Sequence, residues 1–492
     1  MKAQALMRAP QVPSDPTDIN ALGHYLKQGD PDGRLGALGL SQLLISNRAH
    51  LDVAEVVSQA LKDGHGQSPH TVVILYDKTD IRRDGQDLKK AVTDELATRF
   101  SVNSCVLGDE VTELHASEKV LDTATAAIAK AEVVVTVGSG TITDVGKVAC
   151  SRHDNKPLVA VQTAASVDGF TDDVSVVLRQ GVKRTISSCW PYAVLADTVT
   201  IADAPSRLNE AGFGEALSMF TAPADWYLSS LVGLDTTFHQ SVCDVFVHYG
   251  HKSLAWSAGL STGRSDAVEE LTRLLAARGI LAGVSLTTAC LSGVEHVISH
   301  MLDMHQAAHR LPIGLHGAQV GVGSILAATM WNRALADERF VPEQLRMPDP
   351  DVAECQIRQA FGHLDDTGAL AEECWSDYQK KLKGIADNWS HIEAMLATWK
   401  THADIFRGMV KTGEELQTAL VSSGAPATYD TLHQPFQQTT VRWAIHNCHL
   451  MRNRFNLVDL LNLLGLWDME TVDSLTGLVS AADMETPSGG TA

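Results

Sequence analysis

Between about residues 70 and 200, short apolar runs alternate with segments of helical periodicity. "TVVILYDK" precedes "GQDLKKAVTDELATRF", "SVNSCVLGD" precedes "SEKVLDTATAAIAKA", and "EVVVTVGSG" precedes "TITDVGKVACSR" and then "PLVAVQT". Apolar runs of that length between amphipathic segments predict βαβ units around a parallel sheet. From about residue 205 onward strand patterns almost vanish, and "SDAVEELTRLLAARG" and "FQQTTVRWAIHNCHLMRNRFNLVDLLNLLG" read as helix. The pattern predicts an α/β fold class: a Rossmann-like parallel-sheet nucleotide domain over residues 61–204, then an all-helical domain over 205–470. Residues 1–60 read as a mostly helical N-terminal extension, and 471–492, ending in "METPSGGTA", as a flexible tail.

Composition narrows the partners. At 492 residues two or more domains are expected. A formal charge of −20 argues against a polyanionic partner, so no nucleic acid is expected. No apolar run is long enough to span a bilayer, and "MKAQALMRAPQVPSDPTDIN" lacks the apolar core of a signal peptide. A cytoplasmic protein with no membrane insertion is the expectation. The eight cysteines are scattered without a CxxC pair, which suggests neither a thiolate zinc site nor a disulfide framework.

Three stretches carry chemistry. In "EVVVTVGSGTITDVGK" a buried strand runs into Gly138-Ser139-Gly140 and a helix beginning near Thr141. Glycines let a backbone approach a pyrophosphate, and the helix N-terminus favours its charge. The third glycine of the ordinary dinucleotide fingerprint is replaced by Thr143, so a plain tight turn is the alternative. In "QTAASVDGFTDD" Thr163, Ser166 and Asp168 follow a second strand, at the sheet edge where open α/β folds bind ligands; an Asx turn with a helix cap would use the same residue types. The third stretch, "SGVEHVISHMLDMHQAAHRLPIGLHGAQVGVG", holds five histidines. His296 and His300 are four apart and share a helix face, while His316 follows the break "LPIGL". Two histidines from different elements plus a carboxylate suit a borderline metal, and Glu215 in "LNEAGFGEALSMFTAPADW" is the carboxylate on offer. For any one of these histidines a purely structural role is the alternative.

Taken in order, "GSGTITDVGK", "TAASVDGF", "GVKRTISSCWPYAVLADTVTIADAPSRLNEAGFGEALSMFTAPADW", "SGVEHVISHMLDM", "LHGAQVGVG" and "MRNRFNLVDLLNLLGL" resemble the iron-containing alcohol dehydrogenase superfamily, and within it the sn-glycerol-1-phosphate dehydrogenase branch. The resemblance covers roughly residues 70–467, with part of 335–400 standing as an insertion. It implies a dehydroquinate synthase-like arrangement of the two domains, NAD or NADP as cofactor, and one divalent ion, zinc foremost and nickel or iron as alternatives. Gly138, Ser139, Gly140, Thr141 and Asp144 would form the pyrophosphate loop, with Thr163, Ser166 and Asp172 also on the dinucleotide. Asp168 would touch substrate, Glu215, His296 and His316 would hold the metal, and His300 would serve the substrate as proton partner.

The implied reaction is reduction of dihydroxyacetone phosphate, or oxidation of a related polyol phosphate, in a homo-oligomer. Three positions depart from the family pattern: Glu215 stands where aspartate is usual, Gln162 to Ser166 replaces a proline-rich loop, and Asp172 replaces a small hydroxyl residue. Glu215 also keeps a dehydroquinate synthase-like cyclase in view, and a non-catalytic nucleotide-binding module is a third reading. Lys183, Arg184 and Arg454 are candidates for the substrate phosphate, and Asp77 for the adenosine ribose or a simple turn.

Overall fold

The computed structural model describes residues 11–63, 70–108, 114–179 and 182–480; of the tail expected over 471–492, residues 481–492 lie outside the described residues, while 471–478 belong instead to the helix Met469–Leu478, held by buried Val472 and Leu475. Six strands form one parallel sheet: β1 (Gln42–Ser46), β2 (Thr71–Tyr76), β3 (Ser101–Val106), β4 (Val133–Gly138), β5 (Leu158–Gln162) and β6 (Ala193–Asp197), in the order β1-β6-β5-β4-β2-β3. β4, β5 and β6 are buried at every position, as continuous Val, Leu and Ala runs require in a sheet covered on both faces. Val53, Val57, Leu88 and Val92 cover one face. Leu121, Ala124, Ile142 and Val145 cover the other.

The N-terminal region differs from the expected helical extension. Residues 19–29 are helical, but Leu43, Leu44 and Ile45 form edge strand β1, paired with Val194, Leu195 and Ala196 of β6. Three apolar residues give too short a run to show a period. The helix Val53–Asp63 then packs on the sheet, so the α/β layer begins well before residue 61.

Chain order reverses between β2 and β4. After β3 the chain crosses back over β2 to enter β4, and successive strands then add on that side. The carboxyl ends of β2 and β4 therefore flank the crevice where open α/β sheets bind ligands. β4 delivers Gly138 there.

Among the described residues no strand follows Asp197. The segment expected as one long helix is two: Gln438–Asn447 and Leu457–Leu463. Asn456 ends the continuity by accepting from the Val458 and Asp459 amides, while the Asp459 carboxylate accepts from the Asn456 amide, a reciprocal cap. No described helix is long and apolar enough to cross a membrane. All eight cysteines are free thiols.

Two helices of this domain cross at glycines. A Cβ on Gly214 would stand 2.3 Å from the Gly317 carbonyl oxygen, and one on Gly317 would stand 2.2 Å from that of Ala211. Only a bare Cα lets the helix Ser206–Ala216 lie so close to His316–Ala336. That contact sets Glu215 against His316.

The carboxyl end of β6 is tied down electrostatically. Fully buried Asp197 accepts from His50 Nδ1 at 2.6 Å, Arg83 Nε at 3.1 Å and the Thr200 amide at 3.0 Å. Burial pushes this carboxyl up, but the His50 bond, the amide and Arg83 outweigh it and bring it down to about 2. A depressed carboxyl contributes stability that is present above its unfolded value of 3.8 and lost as pH falls towards about 2. Asp197→Asn is expected to cost about 3–5 kcal/mol at pH 7, because Arg83 and His50 keep their place without the charge. The gap to wild type should narrow between about pH 5 and pH 2. Urea unfolding at pH 7 and pH 3 measures it; an equal gap at both would rule this account out.

Candidate metal and dinucleotide site

At the end of β4, Gly138 leads to Ser139, which starts the helix Gly140–Ser151 without a side-chain cap. The first-turn amides are thereby left to an outside acceptor, the arrangement that takes a phosphate. The loop after β5 lies against this turn: the Thr163 amide donates to the Gly138 carbonyl at 3.2 Å, and a Cβ on Gly140 would meet Val167 Cγ2 at 2.7 Å. Gly138, Ser139, Gly140, Thr141, Thr163 and Ser166 are thus gathered at one sheet edge. Asn209 joins that edge to the helical domain, accepting from the Ala165 amide at 3.1 Å and donating to Ile201 O at 2.8 Å.

Asp144 and Asp172 face a different neighbour. Lys147, fully buried, donates to Asp172 Oδ1 at 2.5 Å, to Gly169 O at 2.8 Å and to Val174 O, and stands 3.8 Å from Asp144. Burial pushes the Asp144 carboxyl up to about 7; Lys147 opposes this and Asp172 adds to it. The Asp172 charge is answered by a lysine rather than turned on a dinucleotide. Asp77 behaves as a turn residue, accepting from the Thr79 amide and hydroxyl at 3.1 and 2.7 Å and lying 3.2 Å from Lys89 Nζ.

The second half of the site comes from three helices. Single donor atoms of Glu215, His296 and His316 all lie within 4.8 Å of one another. His296 Nε2 is 3.0 Å from Glu215 Oε1, and the His296 and His316 rings are 5.3 Å apart. Glu215 Oε2 is buried with no hydrogen-bond partner. An orphaned buried carboxylate oxygen beside two imidazoles fits a divalent cation, whose N and O ligands these are.

The imidazoles are held from behind. His296 Nδ1 meets Glu295 Oε1 at 3.0 Å, and His316 Nδ1 meets Ser299 Oγ at 3.0 Å. Glu295 is fully buried and accepts from the Gly293 amide at 2.6 Å and the Thr221 hydroxyl at 2.8 Å. A carboxylate on Nδ1 fixes the tautomer and leaves Nε2 for a metal. Burial lowers the His296 pKa, but Glu215 and Glu295 outweigh it and carry the ring up to about 9. Burial likewise raises Glu215, and His296, His316 and Arg278 overcome it and bring it to about 2.

Arg278 joins the two halves. Fully buried, it donates to Asp168 Oδ2 at 3.2 Å from Nε, to Ala216 O at 3.3 Å and to Ser218 Oγ at 3.1 Å, and its Nη2 stands 3.6 Å from Glu215. Burial raises the Asp168 carboxyl to about 6, against the pull of Arg278. His300 stacks on His316 at 5.0 Å and groups with Asp303 and His316 rather than with Glu215 and His296. His305 and His309 stack on each other at 4.2 Å, away from these donors.

Arg278, Glu295 and Asp303 were not singled out from sequence. Glu295 had a signal, since it directly precedes His296; Arg278 had none, being one arginine of the helix Ser265–Val284. Of the phosphate candidates, Arg184 pairs with Glu373 at 2.9 Å, Arg454 donates to Ser292 O at 2.9 Å and to Thr288 Oγ1 at 3.3 Å, and the Lys183 side chain lies outside the described residues.

A glycine turn at a sheet's switch point and a two-histidine, one-glutamate donor set on three helices fit a dinucleotide and a divalent cation. A family model described as iron-containing alcohol dehydrogenase matches residues 50–205. Glycerol-1-phosphate dehydrogenase [NAD(P)+] of Bacillus licheniformis is 27% identical over 304 residues, covering 61% of this chain and 71% of that protein. The enzyme of the same name from Halalkalibacterium halodurans is 31% identical over 47% of this chain and 58% of its own length. A probable glycerol dehydrogenase from Sinorhizobium meliloti shares the fold, with TM-score 0.54 and 14% identity over 91% of this chain and 98% of that one. The chain is similar to iron-containing alcohol dehydrogenases and, among them, to glycerol-1-phosphate dehydrogenases, and these relatives indicate an NAD(P)-dependent oxidoreductase.

The backing of His296 has a measurable consequence. Glu295→Gln keeps the shape and removes the charge behind the imidazole, and should weaken zinc affinity by about 10- to 100-fold, read by competition with a chelating dye. Unchanged affinity would reduce Glu295 to a packing residue.

Proposed function

We propose that this protein catalyses the metal-dependent reduction of dihydroxyacetone phosphate to sn-glycerol 1-phosphate with NADH or NADPH. The observation that carries the reading is the buried Glu215, His296 and His316 donor set, with Glu215 Oε2 left without a partner, across the seam from the glycine turn at Gly138. When bound, the nicotinamide supplies the hydride and a divalent ion, zinc foremost, supplies a Lewis acid for the ketone oxygen.

The chain's own groups do the rest. The first-turn amides after Ser139 receive the dinucleotide phosphates, and Thr163 and Ser166 line the same edge. Lys147 keeps Asp172 from opposing them. Glu215, His296 and His316 hold the ion, and Arg278 fixes the Asp168 carboxylate beside it for a substrate hydroxyl. His300, one turn beyond His296 and stacked on His316, gives its proton to the oxygen that was the carbonyl oxygen. Ketone, reduced cofactor and one proton thereby become alcohol and oxidised cofactor. We place the reaction in the cytoplasm, in a homo-oligomer.

Loss of reduced-cofactor absorbance on adding dihydroxyacetone phosphate tests this directly, and a wild-type protein inert to that ketone with both cofactors would refute it. Within the site, His300→Gln should keep its metal and lose turnover by roughly 10²–10⁴. His316→Ala should lose both, and His305→Ala neither. Elemental analysis beside the rate assay separates these outcomes. A metal-depleted His300 variant would reverse the assignment.

A further inference from the structure

Besides Glu215, His296 and His316, a second set of donors meets on the same pair of histidine-bearing helices. His300 and Asp303 are three residues apart on the helix Val294–Ala308 and so share one face, and His316 opens the helix His316–Ala336 beside them. Single donor atoms of His300, Asp303 and His316 all lie within 4.8 Å of one another. Two imidazoles and one carboxylate from two elements are again the ligands of a borderline divalent cation. His316 is the member the two sets share.

The ligands of the second set are backed by a directed chain of hydrogen bonds. Gln319 Nε2 donates to Asp303 Oδ1 at 3.0 Å, and because a carboxylate only accepts, that bond fixes which way the Gln319 amide points. Gln319 Oε1 then accepts the Ser299 hydroxyl proton at 2.9 Å. With that proton spent, Ser299 Oγ is an acceptor for His316 Nδ1, 3.0 Å away. The chain from Asp303 through Gln319 and Ser299 therefore keeps the His316 proton on Nδ1 and its lone pair on Nε2. A neutral imidazole has one such pair to give, so His316 serves one set or the other and not both at once.

The two sets differ in depth. Glu215 and His296 are buried, whereas His300 and His316 are half-buried and Asp303 is the closed-off member of the second set. A buried metal centre needs an entry path. The half-buried ligand of the inner set is the one that the outer set also holds.

We propose that His300, Asp303 and His316 form an outer divalent-cation site, and that this site loads the inner one through the shared His316. Capture at a half-buried set lets a cation keep part of its water shell, and exchange of His300 and Asp303 for Glu215 and His296 completes the dehydration in a second step. Loading of the inner set then releases His300 for the proton transfer given to it above. The inference rests on Glu215, His296 and His316 as the metal centre, and not on the identity of the ketone.

The test uses metal-free protein and zinc alone, with affinity read by competition with a chelating dye and loading rate by stopped flow with the same dye. Glu215→Gln disables the inner set and should still bind zinc, more weakly than wild type. Adding Asp303→Asn in that background should weaken binding further by at least about 10-fold, the lower end of what removing even a residue behind a ligand costs. In the otherwise unchanged chain, Asp303→Asn and His300→Gln should each slow loading by about 10-fold or more, in proportion to the lost occupancy of the outer site, while the final affinity changes far less. The amide oxygen brought in by Asp303→Asn still accepts from Gln319, so the backing of His316 survives the change. Should Glu215→Gln not fold, His296→Gln takes its place in the pair. A wild type that takes up no zinc overturns both sites. Zinc binding in Glu215→Gln that is absent, or indifferent to Asp303→Asn, overturns the outer site alone, and wild-type loading rates in both Asp303→Asn and His300→Gln overturn its part in loading.

Discussion

Glu215 is a carboxylate buried in the seam between a sheet and a helical domain, and the site is arranged around keeping it charged. An ionised carboxylate pays a large desolvation penalty unless cations answer it. Here His296 and Arg278 do so at 3.0 and 3.6 Å, and His316 lies within donor range. Remove that charge and His296 keeps Glu295 as its one remaining carboxylate partner, while Arg278 loses one of its two. A divalent ion held by Glu215, His296 and His316 would relieve the same balance in another way, since metal binding would displace a proton and the orphaned Oε2 offers a donor.

The same logic governs the nucleotide side. Asp172 in the loop after β5 would be a liability next to a pyrophosphate, since like charges in a crowded crevice repel strongly. Lys147 sits on the helix that begins at the glycine turn, so one buried cation both neutralises Asp172 and pins the Gly169–Val174 loop to that helix. The Asp172 charge is turned inward to Lys147 and away from the glycine turn.

Where periodicity is strong, structure was legible before coordinates. β2 to β5 and the helices between them follow from Val-rich runs and amphipathic repeats, and Glu215, His296 and His316 converge as their residue types suggested. β1 was not legible, because Leu43 to Ile45 acquires strand geometry only by pairing with β6. Arg278 was not legible for a different reason. An arginine in a helix or turn has the same local pattern whether it faces water or a carboxylate, and only the packing of distant segments decides which. The break at Asn456 was hidden by the apolar repeat on either side of it, although Asn followed three residues later by an acid is a cap signal.

One methylene separates Glu215 from the aspartate usual in this family, and the surroundings show how that length is absorbed. A longer carboxylate on the helix Ser206–Ala216 reaches further across the seam and has one more torsion to fix. Arg278, reaching from the opposite helix, restrains that torsion from one side while His296 restrains it from the other. Arg278 is itself fixed by Asp168, Ala216 O and Ser218, so the restraint comes from a group that cannot easily yield. The extra reach of glutamate and the buried guanidinium therefore belong together: an aspartate at 215 would withdraw from Arg278, and Asp168 would then be left as the one carboxylate the guanidinium meets. Asp168 and Glu215 are in this way two ends of one charge network joined by Arg278, and neither can be repositioned without moving the other.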